Sequence, residues 1–504
     1  MSLLAVDIGS SSCKAIAFSE EGHALAQKTC SYPPLQTPRP TWAEISAESF
    51  WQALTAATHS VAEKVPKDPV EVLAISSHGE TIVPVDSRSQ AVAPAILNMD
   101  NRAEEEANAI GAAFEPRRMY DITGLTVHPM YPLAKMLWLR KHQPDVFGKA
   151  ARFLAVPTYL LTRLGLPAYV DYSLASRYLA FEIRRKTWSS EVLGAFELSS
   201  EQLPKAVAAG TVAGELSSAA AAQLGLRPGT LVVVGGHDQP CGALGCGVVQ
   251  AGRVSASLGT YECLVAASRE PASSDGALNA NLNSYCHVVP DRYITLAYFP
   301  AGIMLEWFLR VLCSSKEVTA DDVGELCRNL EANCSQGPSG LLITPHLLGT
   351  CNPDFNPHAT GVISGIRPGT SRTDLYKAIL EGIACEFANL ADLLQEAAGA
   401  FWDIYVTGGG TLSPLGLRLR AALSGRELHL TDCPDTVCLG TAMLAGLAAD
   451  KYACFCEAAE QLVRVTRTIT PDAGLAKSYE VQRRQYRLLY SSLAPVRNFE
   501  AQPN

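Results

Sequence analysis

The sequence predicts an α/β protein whose core unit occurs twice, with a cleft between the copies, and three observations lead there. The first is Leu231-Val232-Val233-Val234-Gly235-Gly236-His237-Asp238, where four apolar, mostly β-branched residues read as a short buried strand that the two glycines break. Asp238 then stands where a helix begins, with Pro240 just inside it. The second is a hairpin at the start of the chain, strands over 3–8 and 15–18 joined by Gly9-Ser10-Ser11-Ser12. The third is a hairpin of the same kind after Asp238, strands over 253–258 and 261–267 joined by Gly259-Thr260. One such hairpin opening each half predicts a duplicated α/β domain, divided near Gly245 into 1–244 and 245–504, that grips a nucleotide between its halves.

Composition narrows the possible partners. A net charge of -9 argues against a nucleic-acid surface or an anionic membrane, so any phosphate is held locally, by backbone amides, a metal and a few cations. No apolar run reaches the roughly 20 residues of a membrane span, and Asp7 comes too early for a signal peptide. The 15 cysteines lack paired spacing and read as reduced core residues of a cytoplasmic protein. Cys454-Phe455-Cys456 has no second half, so no metal cluster is read there. A homodimer is compatible with all of this.

Each element has its local reason. The Gly9–Ser12 turn presents N–H and hydroxyl groups to an anion. Asp7, at the end of the first strand, can reach a phosphate-bound Mg²⁺ directly or through water, and Lys14 adds a positive charge across the turn; a plain hairpin is the alternative. A strand over 24–32, a helix over 47–63 and a strand over 70–76 follow. The last runs into Ser77-His78-Gly79-Glu80-Thr81, a polar cluster at a strand end where α/β sheets meet small ligands; His78 also reads as a hydrogen-bonded core histidine. Asp100 and Arg102 mark a second strand-to-helix junction, with surface pairing as the plain reading. A helix from 129 carries Leu133, Leu137 and Trp138 on one face, 169–188 reads as strand-rich, and 216–224 is an Ala-rich helix.

In the second half, Phe299-Pro300-Ala301-Gly302 leads into an amphipathic helix bearing Leu305, Phe308 and Leu309. The stretch 354–369, dense in Pro, Asn and Gly, reads as an ordered surface loop, and a long helix over 373–398 begins at the capping box Ser371/Asp374. A buried strand over 404–407 ends in Gly408-Gly409-Gly410-Thr411, where glycines let a flat ring lie against the backbone, or simply make a turn. A helix with Leu415, Leu419 and Leu423 follows, and from Ala476 the tail reads as a polar terminal helix. Asp238, at a rigid corner, either caps its helix or serves as a base, and a helix N-terminus keeps it ionised for both.

Together these pieces resemble the FGGY family of carbohydrate kinases, over about 3–489. Two signatures carry the resemblance: Met130-x-Pro132-x-x-Lys135-Met136-x-Trp138-Leu139-x-Lys141-His142, and Gly361-x-Ile363-x-Gly365-Ile366 followed by Asp374-Leu375-x-x-Ala378-Ile379-Leu380-Glu381. The resemblance implies two RNase H-like domains of the actin/Hsp70/hexokinase ATPase type, with ATP and Mg²⁺ in an interdomain active-site cleft. It implies Asp238 as the base that takes the proton of a sugar hydroxyl. It places Gly9, Ser10, Ser11, Ser12 and Lys14 at the first phosphate motif, and Gly259 and Thr260 at the second. Gly302, Gly409, Gly410 and Thr411 fall in the nucleotide pocket, Asp7 and Asp238 near the metal, and His78, Gly79, Glu80, Asp100, Arg102, Asp238 and Gln239 around the sugar. Substrate signals are mixed: His78-Gly79 is xylulokinase-like, while Glu80-Thr81 and Gln239 are glycerol-kinase-like, and Gly235-Gly236-His237-Asp238 leans towards the fuculose-type branch. Asn98-Met99-Asp100, the loop Gly349-Thr350-Cys351-Asn352-Pro353 and Pro414 depart from the patterns of these groups. The expectation is a kinase of a small ketose, such as a ketopentose or a deoxyketose. A polyol kinase, a non-catalytic sugar or nucleotide sensor, and an actin- or Hsp70-like ATPase acting on a protein are the alternatives.

Overall fold

The computed structural model describes residues 2–313, 320–433 and 435–495. One sheet is built from β1 (Ser2–Ile8), β2 (Ser12–Phe18), β3 (Ala24–Ser31), β4 (Val70–Ser77), β5 (Val212–Glu215) and β6 (Leu231–His237), in the spatial order β5-β6-β4-β1-β2-β3. The other contains β7 (Val254–Leu258), β8 (Tyr261–Ser268), β9 (Asn283–Cys286), β10 (Tyr293–Pro300), β11 (Asp403–Thr407), β12 (Glu427–Thr431) and β13 (Val465–Ile469), in the order β9-β10-β8-β7-β11-β12-β13. Each sheet has a hairpin at its centre, and the hairpin's first strand pairs in parallel with the next crossover strand. A second parallel strand and an antiparallel edge strand complete both plans. The duplication expected from the two hairpins is thus present in the topology.

The central strands read as continuous apolar runs because both their faces are covered; Leu3 to Val6 are buried throughout. The helices that position the site are α1 (Ala47–Ala62), α2 (Pro132–His142), α3 (Tyr172–Ser176), α4 (Asp238–Gly245), α5 (Gly302–Phe308), α6 (Arg372–Ala398), α7 (Pro414–Ser424) and α8 (Thr436–Ala448). The capping box of α6 forms as expected, Ser371 Oγ accepting from the Asp374 amide and Asp374 Oδ2 accepting from the Ser371 amide.

Three expectations need correction. β6 does not stop at its glycines but continues to His237, with a register shift against β4 between Val234 and His237. Gly235 and Gly236 are there for close approach: a Cβ on either would overlap Ile75 O or Val288 Cγ1. The stretch 169–188 has only short strands around α3, because Asp171 caps that helix by accepting from the Ser173 and Leu174 amides. The loop 354–369 contains a strand, Val362–Ser364, paired with Leu342–Thr344. The tail is helical over Ala473–Ser478 and Glu480–Ser492, and 496–504 lie outside the described residues.

The two sheets are joined where α4 crosses α8. The helices touch backbone to backbone: a Cβ on Gly245 would overlap Thr436 O, and one on Gly440 would overlap Cys241 O. Although α8 lies between two strands of the second sheet in sequence, β12 and β13, Leu439, Ala442 and Met443 pack with Leu3, Ala5, Val72 and Val233 of the first. A division near Gly245 therefore separates the sheets but not the hydrophobic cores.

Candidate active site

Asp238 is the first residue of α4, directly past the end of β6, with its side chain 24% exposed. Its neighbour His237 is buried and links it to the second sheet. His237 Nε2 lies 3.2 Å from Asp238 Oδ1, and Nδ1 lies 2.9 Å from the hydroxyl of Tyr285 on β9. Burial pushes His237 down to about 3, with Glu80 pulling the other way, so the ring is neutral. A neutral imidazole carries one N–H. Nε2 thus stands beside Asp238 Oδ1, and Nδ1 shares a hydrogen bond with the Tyr285 hydroxyl. Burial, then the charges of Asp7 and Glu80, holds Asp238 well above the usual carboxylate range, which raises its affinity for a proton.

The first hairpin brings Gly9, Ser10, Ser11, Ser12, Asp7 and Lys14 to one edge of the cleft. The Gly9 amide donates to Ser12 O at 2.9 Å and closes the turn. Asp7 is pushed up to about 7 by burial and by Asp435, against the hydrogen bond from Ser76 and the charge of Lys14. Lys14 Nζ pairs with Asp435, the cap of α8, across the two halves. Sequence reading missed Asp435; its signal was an Asp directly before an apolar helix.

At the second hairpin, Gly259, Thr260, Gly302 and Gly408 to Gly410 converge. Ala301 and Gly302 donate their amides to Thr260 O at 2.9 Å and Gly259 O at 3.1 Å, and a Cβ on Gly302 would sit 2.6 Å from Gly259 O. Gly408 has φ +91° and lies against Leu258 O, a position that only glycine takes without strain, whereas Gly409 faces open space. Thr411 Oγ1 donates to Gly408 O at 2.7 Å, so that hydroxyl holds the turn. Beneath lies a buried pair, Arg420 of α7 with Glu262 of β8, Nε to Oε2 at 3.0 Å.

On the sugar side the expectations divide. His78 Nδ1 lies 2.8 Å from Ile8 O and Nε2 lies 2.7 Å from Thr81 Oγ1, so both ring nitrogens are engaged within the protein. The core-histidine reading holds and direct sugar contact does not. Asp100 and Arg102 are also corrected, though neither is a surface pair. Both Asp100 oxygens are taken, by the Ala43 amide and by Arg102, whose guanidinium also bonds Glu44 and stacks on Trp42 and Trp138. Their side chains are 0% and 1% exposed, so they brace the wall from behind. Gly79, Glu80 and Gln239 do gather near Asp238. Glu80 is buried at φ +61° and pairs with Arg177. Lys135 of α2 is buried and donates to Glu80 O at 2.9 Å and Leu97 O at 2.7 Å, tying the two loops together. Burial pushes it down to about 7 against the pull of Asp100 and Glu80. Arg177, Tyr285 and the role of His237 escaped sequence reading; a lone arginine after Ser-Leu-Ala-Ser in an apolar stretch was the one available signal.

The departing loop is firmly held. Asn352 donates to Ala280 O at 3.0 Å and Asn281 O at 2.8 Å, and accepts from the Tyr298 amide. A cavity of about 710 Å³ lies off the cleft behind this loop, lined by Cys351, Glu386, Asp392 and Tyr486 among others.

The donor set fits a divalent cation. Asp435 and Lys14 both act on Asp7, and Asp7 acts on Asp238, so carboxylates outnumber the one ammonium here. Among the described residues, three ligating atoms close together occur only at Glu105/Glu106/His142 and Asp403/Glu427/His429, both away from the cleft. Asp7 and Asp238 would therefore share a metal with phosphate oxygens and water rather than enclose it.

A family model described as "FGGY family of carbohydrate kinases, N-terminal domain" matches residues 2–245, and its C-terminal counterpart matches 254–449. A xylulose kinase of Escherichia coli (strain K12) is 28% identical over 497 residues, covering 98% of this chain and 99% of that one. A gluconokinase of Bacillus subtilis (strain 168) is 26% identical over 484 residues, covering 95% and 93%. Among solved structures, xylulose kinase from Rhodospirillum rubrum superposes with a TM-score of 0.89 at 24% identity, covering 99% of this chain and all of that one. Plasmodium falciparum glycerol kinase with ADP gives 0.86 at 19% identity, covering 97% and 98%.

Proposed function

The chain belongs to the FGGY family of carbohydrate kinases, and on that premise we propose that it phosphorylates a hydroxyl of a small ketose with ATP, using Asp238 as general base. The enzyme class follows from the family; the ketose and the residue roles are our reading. The observation that carries it is Asp238 at the start of α4, with Glu80 of the sugar-side cluster and Asp7 of the first hairpin both near enough to raise its affinity for a proton. In this reading 1–244 carries the sugar and the first phosphate turn, and 245–504 the nucleotide.

A sugar hydroxyl is a weak nucleophile, so a carboxylate that takes its proton as the O–P bond forms contributes about 10²–10⁴-fold. His237 Nε2 stands beside Asp238 Oδ1, and the carboxylate's other oxygen is the one we assign to the sugar hydroxyl. The amides of Ser10 to Ser12 and of Thr260, with Lys14, stabilise phosphoryl oxygens from opposite sides. Lys14 reaches them by leaving Asp435, to which it is paired here. Gly302 and Gly408 to Gly410 provide flat backbone for the nucleoside. Magnesium, held by Asp7 and Asp238, would supply charge neutralisation at the phosphates. Closing the cleft excludes water as a competing acceptor.

Coupled ADP release across ketoses (xylulose, fuculose), polyols (glycerol, erythritol) and no sugar tests this. Ketose-dependent release is expected; equal release without sugar favours an ATPase acting on a protein, and none at all favours a sensor. Greatest release with glycerol or erythritol would move the substrate to the polyols, the reading that Glu80 and Gln239 favour. Lys14→Met is expected to lower kcat by about 10²-fold, the usual size for one charge-stabilising donor, while sugar KM stays within about twofold.

A further inference from the structure

The place a side chain at Gly79 would occupy is taken by an arginine from another element. A Cβ on Gly79 would sit 3.1 Å from Arg177 Cγ and 3.0 Å from His237 Nε2, so Arg177 runs beside the residue that precedes Asp238. Arg177 follows α3 and is 4% exposed. Its Nε donates to Glu80 Oε1, and its guanidinium carbon lies 4.7 Å from the ring centre of Tyr285 and 5.2 Å from that of Tyr131. Nη1 is buried without a hydrogen-bond partner. On β9, Asn283 shares a face with Tyr285 because strand side chains alternate, and its Oδ1 is likewise buried and unpartnered. Arg177 and Asn283 both reach the Tyr131 hydroxyl, and Nη1 of one and Oδ1 of the other remain a donor and an acceptor to spare beside these rings, next to Asp238. Glu80, which holds the arginine, sits at φ +61°, in the left-handed region that residues with a side chain rarely adopt. Strain and orphaned polar atoms gather at ligand sites.

The charges around the pocket are also spoken for. Arg177 is cancelled by Glu80, Lys14 by Asp435 and Arg102 by Asp100 and Glu44. Lys135 is spent on two backbone carbonyls. A substrate carboxylate would find no spare cation among these side chains to receive it.

We propose that Arg177 and Glu80 are the sugar-reading pair: Arg177 Nη1 donates to an oxygen of the acceptor sugar, and its cancelled charge makes the pocket take uncharged polyhydroxyl sugars and refuse sugar acids. The inference rests on the sugar-kinase reading above and separates two chemistries found among the relatives, an uncharged ketose and an aldonate. A site that hydrogen-bonds its substrate discriminates strongly when a buried polar group is left unpaired.

The test uses the full chain, with ADP release measured on xylulose and on gluconate. Wild type is expected to favour xylulose by about 100-fold or more in kcat/KM. Glu80→Gln uncovers the guanidinium charge and is expected to lower that ratio at least about tenfold. Arg177→Met is expected to raise the ketose KM about 30-fold, with ATP KM unmoved, as loss of a charged hydrogen bond to substrate does. Because Arg177→Met strands a buried carboxylate, the double variant Glu80→Gln/Arg177→Met, which removes both charges, is run beside it and is expected to show the same KM effect. A wild type that prefers gluconate, a ratio unmoved by Glu80→Gln, or a ketose KM within about twofold of wild type in the folded double variant overturns the pair's role while leaving the kinase reading intact. No sugar-dependent ADP from wild type with any member of the wider panel overturns both.

Discussion

Asp238→Asn is expected to bind ATP with wild-type affinity and to lose phosphoryl transfer by about 10²–10⁴-fold, the range of a general base. The amide keeps the size of the carboxylate and can still face His237 Nε2, so the corner at the start of α4 is preserved. What it lacks is an oxygen able to take a proton. Its surroundings suit the proposed exchange: burial and the neighbouring charges of Asp7 and Glu80 raise the carboxylate's affinity for a proton. Calorimetric ATP titration and a coupled assay on the same preparation measure the two halves of this expectation. Turnover within about tenfold of wild type would move the proton transfer elsewhere.

Gly440→Ala is the second large expected effect, this time on stability. The added methyl would overlap Cys241 O and lie 2.8 Å from the Gly245 amide nitrogen. Both neighbours are backbone, so no rotamer change relieves the contact, and α4 and α8 must separate. Overpacking in a core costs about 1–3 kcal/mol and sometimes more; here the upper end is expected, because this crossing joins two sheets. A fall in Tm of about 3 °C follows, since an unfolding entropy of roughly 2.1 cal/mol/K per residue makes 1 kcal/mol worth about 1 °C in a chain of 504 residues. Gly148→Ala is the control: nothing lies within 4 Å of its Cβ position, in the helix Pro144–Lys149. Alanine there is expected to be neutral or mildly stabilising. Thermal unfolding of both variants decides it; equal melting temperatures would mean that the crossing can give way at little cost.

The elements legible in the sequence were those whose cause is local. Alternation of turn glycines with apolar runs predicted both hairpins, and their topological equivalence is borne out in the two sheets. The capping box at Ser371 and Asp374 announced the start of α6 to within a residue. Asp238 stands out for the same reason, as a carboxylate after a strand and before a helix. Where local pattern misled, a long-range contact had overruled it. Gly235 and Gly236 look like a break, yet β6 runs through them because Ile75 and Val288 press too close for any side chain. His78 looks like a ligand at a strand end, yet Ile8 O and Thr81 Oγ1 use both of its nitrogens.

By itself, then, the chain's order of residues determined its class, its internal duplication, both hairpin turns and the place of Asp238 between a strand and a helix. Each depends on residues within a dozen of one another, where backbone preference and hydrophobic period act. Only the tertiary structure decided which charges are spent and which remain. Glu80 meets Arg177 across 97 residues and Lys14 meets Asp435 across 421. Pairings at such separation are set by how helices and sheets pack, because burying a charge is tolerable only beside its partner, and a linear pattern does not say which partner packing will supply.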